Sequence, residues 1–115
     1  MTLYLLNSLA VSIDYSRYPT ATVKFRRVTV EEARAIVREA AARGELVSAI
    51  GHESTARLLS ELFGVEVPVN RASIWFNPGD QGIHFYVPTR LPEGRVLSLE
   101  ELQKLGYWLI HSQVL

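Results

Sequence analysis

Short apolar runs and helical periodicities alternate along the chain. Leu3 to Leu6 is an unbroken apolar run that stops at Asn7-Ser8, as a buried strand ending in a turn would. Leu9 to Ile13 fits neither period, and Asp14 to Thr20, which holds Tyr15, Tyr18 and Pro19, reads as a loop. Val23 and Phe25 alternate with Lys24 and Arg26, predicting a strand over Thr22 to Val28 with one wet face. Thr29 and Glu32 have the spacing of a capping box. Behind them Ala33, Ile36, Val37, Ala40 and Ala41 recur at helical spacing, and Gly44 closes that helix. Its other face carries Glu31, Arg34, Arg38, Glu39 and Arg43, which read as a solvated surface.

The second half begins with Leu46 to Ile50, a further apolar run that predicts a buried strand. It leads into Gly51-His52-Glu53-Ser54-Thr55, and a short helix follows from Ala56 to Phe63. Leu58, Leu59, Leu62 and Phe63 form its inner stripe and Gly64 its stop. Pro68 and Asn70 mark a loop. Ala72 to Phe76 and Ile83 to Val87 flank Asn77-Pro78-Gly79-Asp80, which predicts a hairpin. Thr89 to Gly94 is a polar connection. Ser98 and Glu101 form a second capping box for a helix over Leu99 to Leu105 that ends at Gly106, and Tyr107 to Val114 predicts a last strand. The expected fold is α/β or α+β: a sheet of about five or six strands with two or three flanking helices. Periodicity does not specify the strand order.

Composition narrows the function classes. The 115 residues suit one domain, residues 1–115, and a hydrophobic content of 48% is enough for a real core. Twelve basic residues balance 12 acidic ones, so no global field attracts a long nucleic acid, and a nucleic-acid ligand has to be small and locally held. The absence of cysteine rules out disulfides, thiolate metal sites and cysteine catalysis. No apolar run reaches about 18 residues and no basic leader opens the chain, so neither a membrane span nor secretion is indicated.

The chemistry centres on Gly51 to Thr55. A strand, a glycine turn and a helix start leave free backbone N–H groups and the positive end of a helix dipole beside His52, a setting that suits phosphate. His52 either moves a proton or caps the helix. Ser54 and Thr55 either give hydroxyls to a phosphate or serve as N-caps. Arg90 and Arg71 are suited to phosphate binding. The plainer uses are a surface ion pair with Glu93 for Arg90 and an edge charge for Arg71. Asn7, at the end of the first strand, meets a base or phosphate or caps its turn. His84 and His111 lie within strands, without metal-site spacing or a carboxylate cluster, and read as structural. Trp75, Tyr86, Tyr107 and Trp108 are expected in the core or a dimer interface rather than stacked on bases.

A family likeness is carried by Tyr4-Leu5-Leu6-Asn7, by Ile50-Gly51-His52-Glu53-Ser54-Thr55, by Asn70-Arg71, and by the run from Arg90-Leu91-Pro92-Glu93-Gly94 through Arg95-Val96-Leu97-Ser98-Leu99-Glu100-Glu101. With these motifs in this order, nearly the whole chain resembles the small viral ring nucleases, the type III anti-CRISPR enzymes of archaeal viruses, phages and some bacterial defence loci. The resemblance implies a homodimer with a mixed sheet, acting in the cytoplasm (the host's, if the source is viral). The implied ligand is cyclic tetra-adenylate, the second messenger of type III CRISPR defence, bound in a cleft between subunits. The family linearises it without a metal or other cofactor, leaving short adenylates with a cyclic phosphate end. By resemblance His52 is the general acid, and Glu93, Arg90, Asn7 and Arg71 line the site. Where the family has a serine behind the asparagine, this chain has Ser8 and Ser12, and either or neither takes that place.

The residues agree with that chemistry. A ribose 2′-hydroxyl attacking its own phosphate needs alignment and a proton for the departing 5′-oxygen, but no enzymic nucleophile. A helix N-terminus opposes an imidazolium and bound phosphates favour one, so proton loading of His52 is expected to couple to ligand binding. Two further function classes remain: a sponge that binds a cyclic nucleotide without cutting it, which has no use for His52 as an acid, and an interaction protein that binds no such ligand.

Overall fold

Among the described residues, five strands and three helices form in the order β1 (Leu3–Leu6), β2 (Val23–Val28), α1 (Val30–Ala42), β3 (Leu46–Ser48), α2 (Glu53–Phe63), β4 (Gln81–Tyr86), α3 (Leu99–Leu105) and β5 (Trp108–Val114). The structure is a computed structural model, and it describes residues 1–88 and 98–115. The strands make one mixed sheet in the order β2-β5-β4-β1-β3. β1 runs parallel to both β3 and β4, while β5 is antiparallel to β4 and to β2.

Local signals explain the helices. Both capping boxes form: Thr29 and Ser98 each accept from the amide three residues on, and Glu32 and Glu101 reach back to the cap residue. Ala33, Val37 and Ala40 turn the inner face of α1 to the sheet; Leu58, Leu59, Leu62 and Phe63 do the same for α2. They meet Leu3, Leu5, Ile83, Phe85 and Leu109 in the main core. The second face carries the alternate residues of the strands. There a smaller cluster of Leu6, Ile13, Phe76 and Val114, flanked by Tyr4, Tyr18 and Val23, is roofed by loops instead of helices.

The structure corrects several expectations. Ala72 to Phe76 is not a strand and makes no hairpin with β4; Phe76 forms an isolated parallel bridge with Ile13 and packs its ring against Tyr4 of β1, beside Leu6 and Val114. The turn itself is real. Asp80 N–H donates to the Asn77 carbonyl at 2.9 Å, and Gly79 sits at φ +94°, as a type II turn with proline second and glycine third requires. β4 nevertheless takes its partners from distant β1 and β5. β3 ends at Ser48, not Ile50, and β5 begins at Trp108. Arg34 and Arg38 are not simply solvated: their Nε atoms donate to the carbonyls of Leu62 and Phe63 at 3.1 and 2.9 Å, capping the end of α2. Trp75 is 56% exposed and Trp108 37%, so of the two places expected for them the core is excluded.

Candidate ligand site

Parallel pairing decides where the candidate residues meet. Because β1, β3 and β4 point the same way, their C-terminal ends lie at one end of the sheet. Open α/β sheets bind ligands at that end. Asn7 and Ser8 leave β1 there, and the Gly51-His52 turn leaves β3. Arg90 and Glu93, which follow β4 in sequence, lie outside the described residues.

The turn after β3 is held from both sides. Ala49 N–H donates to the Leu5 carbonyl of β1 at 2.8 Å. From the other side Asn70 donates twice, through its amide Nδ2 to the Ser48 carbonyl at 2.7 Å and through its backbone to the Ile50 carbonyl at 2.8 Å. Arg71 then donates from Nε to the Gly51 carbonyl at 2.9 Å. This fixes the guanidinium over the turn and leaves its Nη groups without a described partner. A Cβ on Gly51 would sit 3.4 Å from Arg71 Cγ, so the glycine lets the arginine stem lie close. Asn70 thus holds the turn in place; the sequence reading took it as a loop marker and as half of the Asn70-Arg71 motif, without this role.

His52 is the N-cap residue of α2, in extended conformation at φ −123° and ψ 130°, and its ring makes no capping bond. Neither Ser54 nor Thr55 is the cap, contrary to one of their expected uses: α2 starts at Glu53, so both occupy its first turn. The first intrahelical bond runs from Ala56 N–H to the His52 carbonyl. Ahead of it, the amides of Glu53, Ser54 and Thr55 have no acceptor among the described residues, and they form the positive end of the helix dipole. His52 itself is exposed.

Asn7 and Ser8 are exposed where the chain bends out of β1, and the Asn7 side chain makes no hydrogen bond to another described residue. The site is therefore an open ledge with an exposed imidazole, free helix amides, a fixed guanidinium and a carboxamide. A cavity of about 130 Å³ opens at the other end of the sheet, bordered by Met1, Glu39, Arg43, Glu45 and Gln81. Its charges already pair with each other, Arg43 with Glu39 at 2.6 Å and the N-terminus with Glu45 at 3.8 Å, so it is the weaker candidate. Among the described residues no group of three or more His, Cys, Asp or Glu residues is arranged to hold a metal ion, and no helix is long and apolar enough to cross a membrane.

Residues 3–109 match the STIV B116-like family. The chain belongs to that family. It is 42% identical over 112 residues to protein ORF117 of Acidianus two-tailed virus, covering 96% of this chain and 92% of that protein. It is 36% identical over 110 residues to protein 26 of Sulfolobus islandicus filamentous virus, covering 93% and 88%. A bacterial protein, YddF of Bacillus subtilis, is 29% identical over 107 residues, covering 93% and 92%. Among solved structures the fold is similar to B116 of Sulfolobus turreted icosahedral virus, with a TM-score of 0.81, 25% identity and coverage of 98% of this chain and 99% of that one. Proteins similar to this chain thus occur in viruses of several kinds and in a bacterium.

Proposed function

We propose that this chain is a metal-independent ring nuclease that opens cyclic tetra-adenylate and so silences type III CRISPR signalling. One observation carries the reading: Asn7, Ser8, Arg71 and the Gly51-His52 turn, with its open helix N-terminus, converge at the C-terminal ends of parallel strands. The ledge offers amides and a guanidinium to phosphates, and an exposed imidazole beside them. A two-fold homodimer would present each group twice to a two-fold-symmetric tetra-anion, which suits a site that is an open ledge on one protomer. Kinship with viral proteins fits a role against host defence.

In the proposed reaction the ribose 2′-oxygen attacks the adjacent phosphorus, the bond from phosphorus to the 5′-oxygen breaks, and the 2′-proton passes to solvent or a base. His52, as imidazolium, gives its proton to the departing 5′-oxygen. The products are linear adenylates with a 2′,3′-cyclic phosphate and a 5′-hydroxyl. Arg71, Arg90 and the free amides at Ser54 and Thr55 hold phosphate charge, Asn7 and Ser8 contact the ribose or base, and Glu93 orients the acid or the arginine.

The test is incubation of labelled cyclic tetra-adenylate with the protein in excess chelator, beside a His52→Ala variant. Cleavage that falls at least about a hundredfold in the variant is the expected result. Tight binding with no cleavage by either protein would instead establish a sponge, and no binding at all an interaction protein.

A further inference from the structure

His84, in β4, sits on the sheet face away from the helices and has no solvent exposure. Its Nδ1 lies 2.7 Å from the Ser8 carbonyl, and its Nε2 lies 2.7 Å from Ser112 Oγ on β5. A carbonyl only accepts, so Nδ1 carries the hydrogen, and Nε2 accepts from the Ser112 hydroxyl. The imidazole is thus held on one side by the sheet and on the other holds the chain that has just left β1. Leu6 is the register partner of His84, so the bond to Ser8 reaches past the last paired residue to the bend over Asn7 and Ser8.

The surroundings are shaped to this ring. Gly82, in register with Ser112, has no room for a side chain: a Cβ would lie 2.6 Å from Ser112 Oγ and 2.7 Å from His84 Nε2. The Phe25 ring lies beside the imidazole at 6.1 Å between centroids. A buried polar group of this kind is costly unless fully bonded, and here both ring nitrogens are used. A leucine would fill such a core position without that requirement. What the histidine adds is a fixed direction for the chain at Ser8, one residue beyond an Asn7 side chain that is exposed and without a described partner.

We infer that His84 is a positioning residue for the ligand ledge: by donating to the Ser8 carbonyl it sets the bend after β1 and so aims Asn7 and Ser8 at the ligand. The inference rests on the proposed ring-nuclease reading for the ligand's identity, but the bend itself is testable without any ligand. The amide of an asparagine falls near His Nδ1 and that of a glutamine near Nε2. His84→Asn therefore keeps the link to Ser8, and His84→Gln keeps only the link to Ser112.

The experiment uses full-length protein carrying His52→Ala, so that cyclic tetra-adenylate binds without being consumed. Backbone NMR order parameters of Asn7, Ser8 and Leu9 are followed beside ligand affinity. In His84→Gln, these order parameters are expected to fall from about 0.85 to below about 0.6 and affinity to fall about tenfold, and adding Asn7→Ala is expected to cost nothing more, because the two residues act as one unit. His84→Asn is expected to restore the order and to bring affinity back within about threefold, a rescue that a purely packing role would not give. Ser112→Ala, which removes only the outer support of the ring, covers the case in which His84→Gln does not fold, and is expected to lower the same order parameters by a smaller amount. Unchanged order parameters in folded His84→Gln and in Ser112→Ala overturn the inference, as does equal damage from His84→Gln and His84→Asn. Failure of the parent protein to bind cyclic tetra-adenylate overturns the nuclease reading instead, and the order parameters then decide by themselves whether His84 sets the bend.

Discussion

The two ends of α2 are built to opposite rules. At the C-terminal end three devices close the helix: Gly64 at φ +68° with its amide on the Ser60 carbonyl, Arg34 on Leu62 and Arg38 on Phe63. Phe63 beside them is fully buried. At the N-terminal end the cap position holds an exposed histidine that caps nothing, and the first amides have no described acceptor. Serine, aspartate or asparagine at position 52 would satisfy one of those amides, as Thr29 and Ser98 do for the other two helices. One end of α2 is given to stability and the other is left open, as a binding end would be.

The largest effect that bears on this contrast belongs to the closed end. Phe63→Ala is expected to cost about 3–5 kcal/mol in urea unfolding, because it empties a packed site between α2 and the sheet. Next comes the open end: His52→Ala is expected to lower cleavage of cyclic tetra-adenylate at least about a hundredfold while leaving the urea midpoint nearly unchanged, since its ring supports no described contact. A comparable loss of stability in that variant would break the contrast.

Acid tests the sheet that carries both ends. Burial favours neutral His84, and burial, with Arg26 adding to it, favours neutral His111. The folded chain therefore takes up these protons at lower pH than the unfolded chain, whose histidines titrate near pH 6.5. Stability is expected to be full above about pH 6.5 and to decline below it, by up to about 1.4 kcal/mol per pH unit for a group as buried as His84, until the folded histidine itself protonates. Denaturation at stepped pH checks this, and His84→Gln is expected to flatten the slope.

The smaller effects return to the ends of α2. Arg38→Ala is expected to destabilise by about 1 kcal/mol through the lost bond to the Phe63 carbonyl. His52→Ser is the sharpest probe. A serine cap is expected to stabilise the protein by about 1 kcal/mol while abolishing cleavage. A stabilised and still active His52→Ser protein would show that position 52 has no chemical role.

Much of the fold was legible because the signals were local. The capping boxes at Thr29–Glu32 and Ser98–Glu101, the glycine stops and the helical stripes act within a turn or two of themselves, and each appears where the spacing predicts. The hairpin failed for the same reason. Asn77-Pro78-Gly79-Asp80 specifies a reversal of the chain but not a partner, and Ile74 and Phe76 were apolar because they roof the second core, not because they pair with β4. At the site, Gly51, His52, Arg71, Asn7 and Ser8 were legible as residue types. The parts played by Asn70, seen only as a motif member, and by His84, read only as structural, were not, since they consist of bonds to carbonyls of other segments, which a sequence does not display.

The sequence by itself determined the helices, the capping boxes of α1 and α3, most of the strands and the chemical character of the turn around His52. These depend on side-chain period and on hydrogen bonds a few residues long. The tertiary structure alone decided that β1 lies between β3 and β4 in parallel, and with it that Asn7, Ser8, His52 and Arg71 share one end of the sheet. It also decided that Arg34 and Arg38 close α2 and that His84 fastens the bend after β1. Those arrangements come from burying two faces of one sheet and satisfying the carbonyls left over. Both requirements join segments far apart in the chain, and no local pattern records which segments they join.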